Sequence, residues 1–271
     1  QIFLPISLAI IMFGMGLTLV VSDFSRLFTY PKEIIIGLCN QLVFLPLIGF
    51  LIILLFDLNS SMAIGIMILS LCPGGPTSNL ITQVARGNIG LSVTLTALAS
   101  LITVFTIPII LSKAITYFTG ETDIVIELPI VQTMIQILVI TVIPVSIGML
   151  IRKKNEAFAI RMERPMRIAS TVLFIIIFLL VMFANKDLIV QAMKEVGIAT
   201  LLLNLSTMAL GFLTAKIFDI KGKSQISITI ESGIQNGTLA FVIATTILNN
   251  VEMGLPTGAY SIWMFVTGGI L

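Results

Sequence analysis

Glu231 stands out for where it sits. It lies between Ile226-Ser227-Ile228-Thr229-Ile230 and Thr238-Leu239-Ala240-Phe241-Val242, and it is the only acidic residue deep inside an apolar run of spanning length. A charge at that depth is costly, and such residues mark ion or substrate paths. No Lys or Arg lies at comparable depth in any run, so a buried ion pair has no second member. A protonated, hydrogen-bonded carboxyl is the bland alternative; a bound cation accounts better for a charged Glu231. Oxygen-bearing side chains recur inside the other apolar runs: Gln41, the pair Ser78 and Asn79, and the pair Ser92 and Thr96. Ser92 and Thr96 are four positions apart and so share one helix face. Alone, such a pair is more often packing glue between membrane helices. Carboxylate, hydroxyl and amide oxygens are together the ligands of a hard cation such as Na⁺. Histidine is absent, which removes the commonest proton-shuttling side chain and any His-containing metal site.

The elements that must carry these residues are membrane helices. The chain is 57% hydrophobic and 10% charged, where soluble domains carry about 25% charged residues. Apolar runs of about 20 residues fill it. We read nine spans: 2–21, 32–55, 61–86, 89–112, 128–151, 167–184, 196–217, 223–248 and 256–271. They leave no room for a soluble domain, so residues 1–271 form a single transmembrane domain of an all-α integral membrane protein. The bilayer is its solvent, and no nucleic-acid partner is expected. Cys39 and Cys72 both fall inside apolar runs and read as small packing residues without a disulfide. The sequence opens in an apolar run with no basic leader.

Two spans cannot be continuous. Residues 73–79 read Pro-Gly-Gly-Pro-Thr-Ser-Asn; the prolines remove backbone donors and the glycines are poor helix formers. A simple proline kink would not need this many breakers and polar side chains in a row. Residues 231–237 read Glu-Ser-Gly-Ile-Gln-Asn-Gly. Unpaired backbone at membrane depth is tolerated only against protein or a wet cavity, so both stretches are expected to be unwound crossovers lining a site. The two interrupted spans are third and eighth in order, so they run oppositely through the membrane. Interrupted spans in matching places of two halves point to an inverted-repeat transporter. An offset of five implies ten spans, which would put one before residue 2; a natural nine-span protein is the alternative.

Charge in the connections alternates. Arg26, Lys32, Arg86, Arg152, Lys153, Lys154, Arg161, Arg164, Arg167, Lys216, Lys221 and Lys223 fall in one set. The other set holds Lys113, Lys186 and Lys194 among Asp57, Glu121, Asp123, Glu127, Asp187, Glu195 and Glu252. The positive-inside rule puts the first set, and the C-terminal end of the sequence, in the cytoplasm. The basic stretch 152–167 reads as a topology determinant rather than a lipid-headgroup site.

A crossover also suits an anion. Unwound helix ends offer carbonyls to a cation, and the opposite half-helix ends offer N–H groups and positive dipole ends. Two Na⁺ against the single Glu231 would leave one net positive charge, the complement of a monovalent carboxylate or sulfonate.

The run Cys72-Pro73-Gly74-Gly75-Pro76-Thr77-Ser78-Asn79, followed by Ala85-Arg86-Gly87-Asn88 and Leu91-Ser92-Val93-Thr94-Leu95-Thr96, resembles the bile acid:sodium symporter family. Glu231-Ser232-Gly233-Ile234-Gln235-Asn236 is similar to that family's second crossover signature. The resemblance runs from about residue 10 to the end. It implies two crossed discontinuous helices in a core (32–112 and 196–271) and a separate panel (1–21 and 128–184). It implies two sodium sites: one of Ser78, Asn79, Ser92, Thr96 and Glu231, the other of Gln41 and Glu231 with the backbone or side chains of Ser232, Ile234 and Gln235. The substrate would lie in the cleft between core and panel near Thr77 and Asn236, with Pro76 and Gly237 beside them. Pro76 stands where the family often has a polar residue, and the last span carries Trp263-Met264-Phe265 where some bacterial relatives are polar. The bacterial type implies the inner membrane. The anion could be bile acid-like, pantoate-like or another carboxylate or sulfonate, and the oligomeric state is open.

The expectation is therefore a sodium-coupled symporter working by alternating access, with Na⁺ as the coupling ion and no other cofactor. A cation/proton exchanger of related architecture would want a carboxylate pair or a midplane Lys. A passive channel would not need a cation-ligating cluster. An intramembrane hydrolase would want a Ser–His, an Asp pair or a His/Glu metal motif, and the sequence has none.

Overall fold

The computed structural model describes residues 3–120, 128–162 and 186–270, together with 165–166, 168–169, 172–173 and 176. Among these residues the chain is helical, with no strand. The helices are α1 (Phe3–Thr18), α2 (Val21–Thr29), α3 (Pro31–Phe56), α4 (Ser60–Leu71), α5 (Pro76–Val84), α6 (Ile89–Thr119), α7 (Ile130–Lys154), α8 (Lys186–Ile217), α9 (Lys223–Gly233), α10 (Gly237–Val242) and α11 (Leu255–Ile270).

Helix starts have local chemical causes. Asn59, Asn88 and Asn236 each accept a backbone N–H three residues on with their side-chain oxygen, from Met62, Leu91 and Leu239 at 2.9, 3.1 and 3.0 Å. Such caps satisfy one of the unpaired donors at a helix start. Pro31 and Pro76 occupy the first turns of α3 and α5, where a missing N–H costs nothing. Inside α3 and α7 the helix widens for one π-turn, at Asn40–Phe44 and Leu138–Val142. Each precedes a proline, Pro46 or Pro144, that cannot donate to the ordinary ladder. The Leu45 and Ile143 amides reach back five residues instead, to the Asn40 and Leu138 carbonyls. Single π-turns of this kind recur at functional sites, and the first one carries Gln41.

Four helices, α3, α6, α7 and the Met193–Ile217 part of α8, are long and apolar enough to cross a membrane among the described residues. Two bent pairs pass the same test together: α1 with α2, bent 75°, and α4 with α5, bent 62°. The expected span 2–21 is shorter than read. α1 ends at Thr18, and Asp23 restarts the chain by accepting the Val20 amide at 2.9 Å. The expected span 196–217 is the C-terminal part of α8, which begins at Lys186. Most of span 167–184, and the acidic residues Glu121, Asp123 and Glu127, lie outside the described residues.

Both breaks are narrower than the sequence suggests. α4 ends at Leu71 and α5 begins at Pro76, so Thr77, Ser78 and Asn79 are already helical. α9 runs through Gly233 and α10 begins at Gly237, so Glu231 and Ser232 are helical too. The physical reason is that Pro76 starts a helix as readily as it stops one.

The bundle turns apolar side chains outward and polar ones inward. Leu51, Leu55, Phe105, Val131 and Phe212 are exposed, whereas Ser70, Thr103, Thr200, Asn204 and Thr207 are buried. That pattern suits a lipid surround, where hydroxyls hydrogen-bond within and between helices. α1 and α7 approach closely through small residues: a Cβ on Gly148 would lie 2.6 Å from the Phe13 carbonyl, and one on Gly16 would strike the Val145 carbonyl. The connections sort into two ends. At one, Ser60 donates to the Phe118 carbonyl (2.7 Å) and Asn59 to Glu195 (3.5 Å). At the other, the Asn88 amide donates to Lys223 O (3.0 Å) and Thr94 to Asp23 O (3.1 Å). These are the groupings the charge alternation separates. Both cysteines are free; Cys72 is buried, but Cys39 is exposed on the outer surface and does not pack inside.

Candidate functional site

Glu231 sits in the last turn of α9 and is fully buried. Four neutral donors from three other helices converge on its carboxylate. Ser78 of α5 (2.7 Å) and Ser92 of α6 donate to Oε1; Thr96 of α6 (3.0 Å) and Gln41 Nε2 of α3 (3.1 Å) donate to Oε2. Gln41 Nε2 also meets the Glu231 carbonyl at 2.9 Å. Bonds of this kind to a charged group are about twice as strong as neutral ones, yet among the described residues no cationic side chain joins them. The cluster depends on the break beside it. Gly74 lies against the carboxylate so closely that an added Cβ would strike Glu231 Oε2 and come within 3.3 Å of Gln41 Nε2.

Asn79 completes one oxygen group. Its Oδ1 lies 2.7 Å from the Ser92 hydroxyl and 3.5 Å from that of Thr96. Ser78, Asn79, Ser92, Thr96 and Glu231 are thus brought together as the sequence expects. The second group centres on the α9–α10 break. Gln235 Nε2 donates to the Ser232 carbonyl at 2.9 Å, and Ile234 lies in the extended turn with its amide on the Ile230 carbonyl (2.8 Å). The Ser232 hydroxyl turns back to the Ile228 carbonyl (2.8 Å), so what Ser232 offers the break is backbone. Among the described residues, Gln41 Oε1 and Gln235 Oε1 are buried acceptors without a hydrogen-bond partner. Each such acceptor costs about 1–3 kcal/mol when left unpaired. Amide oxygens in that condition fit a hard cation. Among the described residues no cluster of Cys, Asp and Glu could hold a multivalent metal.

The two breaks cross in contact. The Asn236 amide donates to the Pro73 carbonyl at 2.8 Å, and a Cβ on Gly75 would lie 3.4 Å from Asn236. Beside the crossing opens a cavity of about 210 Å³. Pro76, Thr77, Asn236 and Gly237, the residues expected on the substrate side, all line it. Its opposite wall is α1, through Ile11, Met15 and Thr18. Met264 and Phe265 line it as well, but Trp263 does not; its indole donates to the Gly197 carbonyl of α8 at 2.9 Å. Neighbours on a helix face different ways, and position 263 falls on the packing face. Thr18, Gln83 and Thr238 also line the cavity and were missed, because nothing in their local sequence separates them from ordinary packing residues. Gly74 was read only as a helix breaker, although its lack of a side chain is what admits the carboxylate.

Apolar-faced helices broken around a buried carboxylate, with a cavity at the crossing, define a membrane transport protein rather than an enzyme. The profile of the Sodium Bile acid symporter family matches residues 5–192, and the chain belongs to that family. It is 30% identical over 271 residues to the uncharacterized sodium-dependent transporter YocS of Bacillus subtilis, covering 99% of this chain and 81% of that protein. It is 30% identical over 267 residues to the probable chloroplastic sodium/metabolite cotransporter BASS1 of Arabidopsis thaliana, covering 98% of this chain and 65% of that one. It is 28% identical over 242 residues to the human ileal sodium/bile acid cotransporter, covering 89% of this chain and 68% of that one.

Proposed function

We propose that this protein is a sodium-coupled secondary active symporter that imports a small organic anion by alternating access across a bacterial inner membrane. The observation that carries the reading is Glu231: a buried carboxylate with four neutral donors and, among the described residues, no base, at the joint of two broken helices. A charge so placed wants a cation. One Na⁺ would take oxygens from Ser78, Asn79, Ser92, Thr96 and Glu231. A second would take Gln41 Oε1 and the Gln235 side chain, with Glu231 and the backbone at Ser232 and Ile234; the unpaired amide oxygens support it.

Coupling follows from shared structure. Both cation groups meet at Glu231, and the Asn236–Pro73 bond ties the breaks together where the cavity begins. Cations that order the breaks therefore also order Thr77 and Asn236. Among the described residues no Lys or Arg lines the cavity, so the anion's charge would meet Na⁺, polar side chains and backbone N–H groups. The cavity has room for a small anion: an enclosed apolar cavity of about 150 Å³ holds benzene, and this one offers about 210 Å³. The panel comprises residues 1–21 and 128–184, and its rocking against the core would expose the cavity to each side in turn. The two ends of the bundle and the basic connections support a cytoplasmic C-terminal end.

The test is uptake of labelled small carboxylates and sulfonates into proteoliposomes under an imposed Na⁺ or K⁺ gradient. Uptake driven by Na⁺ alone is expected. Equal uptake in both salts removes the symport reading, and uptake driven by a pH gradient without Na⁺ replaces it with proton coupling.

A further inference from the structure

We infer that Asn204 and Tyr260 are positioning residues for the second cation-binding turn, acting through the carbonyl of Gly233; this rests on the sodium reading above. Gly233 is the last residue of α9, and the carbonyls of a final helical turn lose their intrahelical donors. The Gly237 amide, which a continuous helix would direct to Gly233, bonds to the Gln235 carbonyl instead at 2.9 Å. Two side chains replace it. Asn204 Nδ2 of α8 donates to the Gly233 carbonyl at 2.8 Å, and the Tyr260 hydroxyl of α11 donates at 2.7 Å. Both side chains are fully buried.

The clamp is itself held. Thr267 donates to Asn204 Oδ1 at 2.7 Å, so the Asn204 amide has its oxygen and nitrogen committed to different partners. Met208 of α8 fills the space where a Gly233 side chain would project, so that only glycine fits without displacement. α8 and α11 thus grip α9 at the point where the chain leaves the helix.

What the clamp controls is the orientation of the next residues. With both lone pairs of its carbonyl occupied, Gly233 is withdrawn as a cation ligand and its peptide plane is fixed. Within two residues, Gln235 Nε2 is anchored to the Ser232 carbonyl while its Oε1 stays unpaired. The position of that oxygen follows from the turn, and the turn follows from the clamp. Neither Asn204 nor Tyr260 lines the cavity or donates to the Glu231 carboxylate. Both act on the cation site through Gly233, the Tyr260 hydroxyl also lying against the Gln235 side chain, and not on the anion.

The experiment uses the full chain in proteoliposomes with Tyr260→Phe, Asn204→Leu and Trp263→Phe. Trp263→Phe removes another hydrogen bond, a partly buried one, between the same helices α8 and α11, so it reports a purely structural loss. Tyr260→Phe and Asn204→Leu should each raise the half-saturating Na⁺ concentration by about five- to tenfold, the loss of one buried hydrogen bond. They should leave the anion KM at saturating Na⁺ unchanged, and Trp263→Phe should not move the Na⁺ dependence. Half-saturation at the wild-type value in Tyr260→Phe overturns the clamp while leaving the sodium reading intact, as does an equal shift in Trp263→Phe. Tyr260→Phe keeps the ring, and it decides the matter if Asn204→Leu does not fold. A wild-type protein with no saturable Na⁺ dependence overturns both.

Discussion

The two sides of the helix crossing are built differently. On the Glu231 side the polar atoms are buried and held from four helices, and Gly74 leaves no spare room. On the cavity side the walls are largely apolar, Pro76 offers neither N–H nor hydroxyl, and Thr77 and Asn236 stand between Met264, Phe265 and Met15. The contrast teaches which task each side can perform. A small hard ion needs several oxygens at fixed distances. An organic anion needs shape and a few polar contacts. The first requirement constrains residue types closely and the second does not.

Removing the carboxylate should break the comparison most completely. Glu231→Gln is expected to abolish Na⁺-dependent stabilisation of the purified protein, which for a site at 100 times its Kd amounts to about 2.7 kcal/mol. A sodium titration of melting temperature, with KCl as the control, reads this directly; a wild-type titration curve in the variant refutes the assignment. Gly74→Ala comes next. Its Cβ would strike Glu231 Oε2, and overpacking of this kind costs about 1–3 kcal/mol, so both Na⁺ affinity and melting temperature should fall. Gly258→Ala, whose Cβ meets nothing within 4 Å, is the matched control and should change neither.

Gln41→Leu sharpens the division between the two cation groups. It removes one of the unpaired amide oxygens and the donor to Glu231. The Na⁺ dependence of uptake should lose its cooperativity, giving a Hill coefficient near one while Na⁺ binding persists. An unaltered sigmoidal curve would count against a second site at Gln41. Smaller still, Thr77→Ala and Asn236→Ala should raise the anion KM by about five- to tenfold, a buried hydrogen bond each, with Na⁺ stabilisation retained. Loss of sodium binding in both would merge the two sides into one. Asp219→Asn should do least. Its partner Lys221 lies 2.6 Å away and holds the Asp219 carboxyl below its usual range, but both are exposed. Such pairs contribute little, and neither uptake nor melting temperature should change.

Much of the grouping around Glu231 was legible in the sequence. A lone acid among apolar residues must be accounted for, and Ser92 and Thr96 at helical spacing must face one way. The break boundaries were legible only roughly. A run such as Pro-Gly-Gly-Pro says that a helix stops, but the side chain of Pro76 also starts one, which is why Ser78 and Asn79 are helical rather than loop residues. The cavity was legible on its core wall, where Thr77 and Asn236 adjoin the breaks. It was not legible at Thr18 or Met15, because those residues are ordinary members of an apolar helix until α1 is laid across the crossing.

The sequence by itself determined the solvent, the places where helices break and the chemistry of the buried charge. These follow from local composition, backbone sterics and the cost of an unpaired carboxylate in hydrocarbon, none of which depends on distant contacts. Tertiary structure alone decided that Asn204 and Tyr260 share the Gly233 carbonyl and that Ile11, Met15 and Thr18 of α1 line the cavity. Such meetings depend on how helices pack, and packing is a property of whole surfaces that no short stretch of residues encodes.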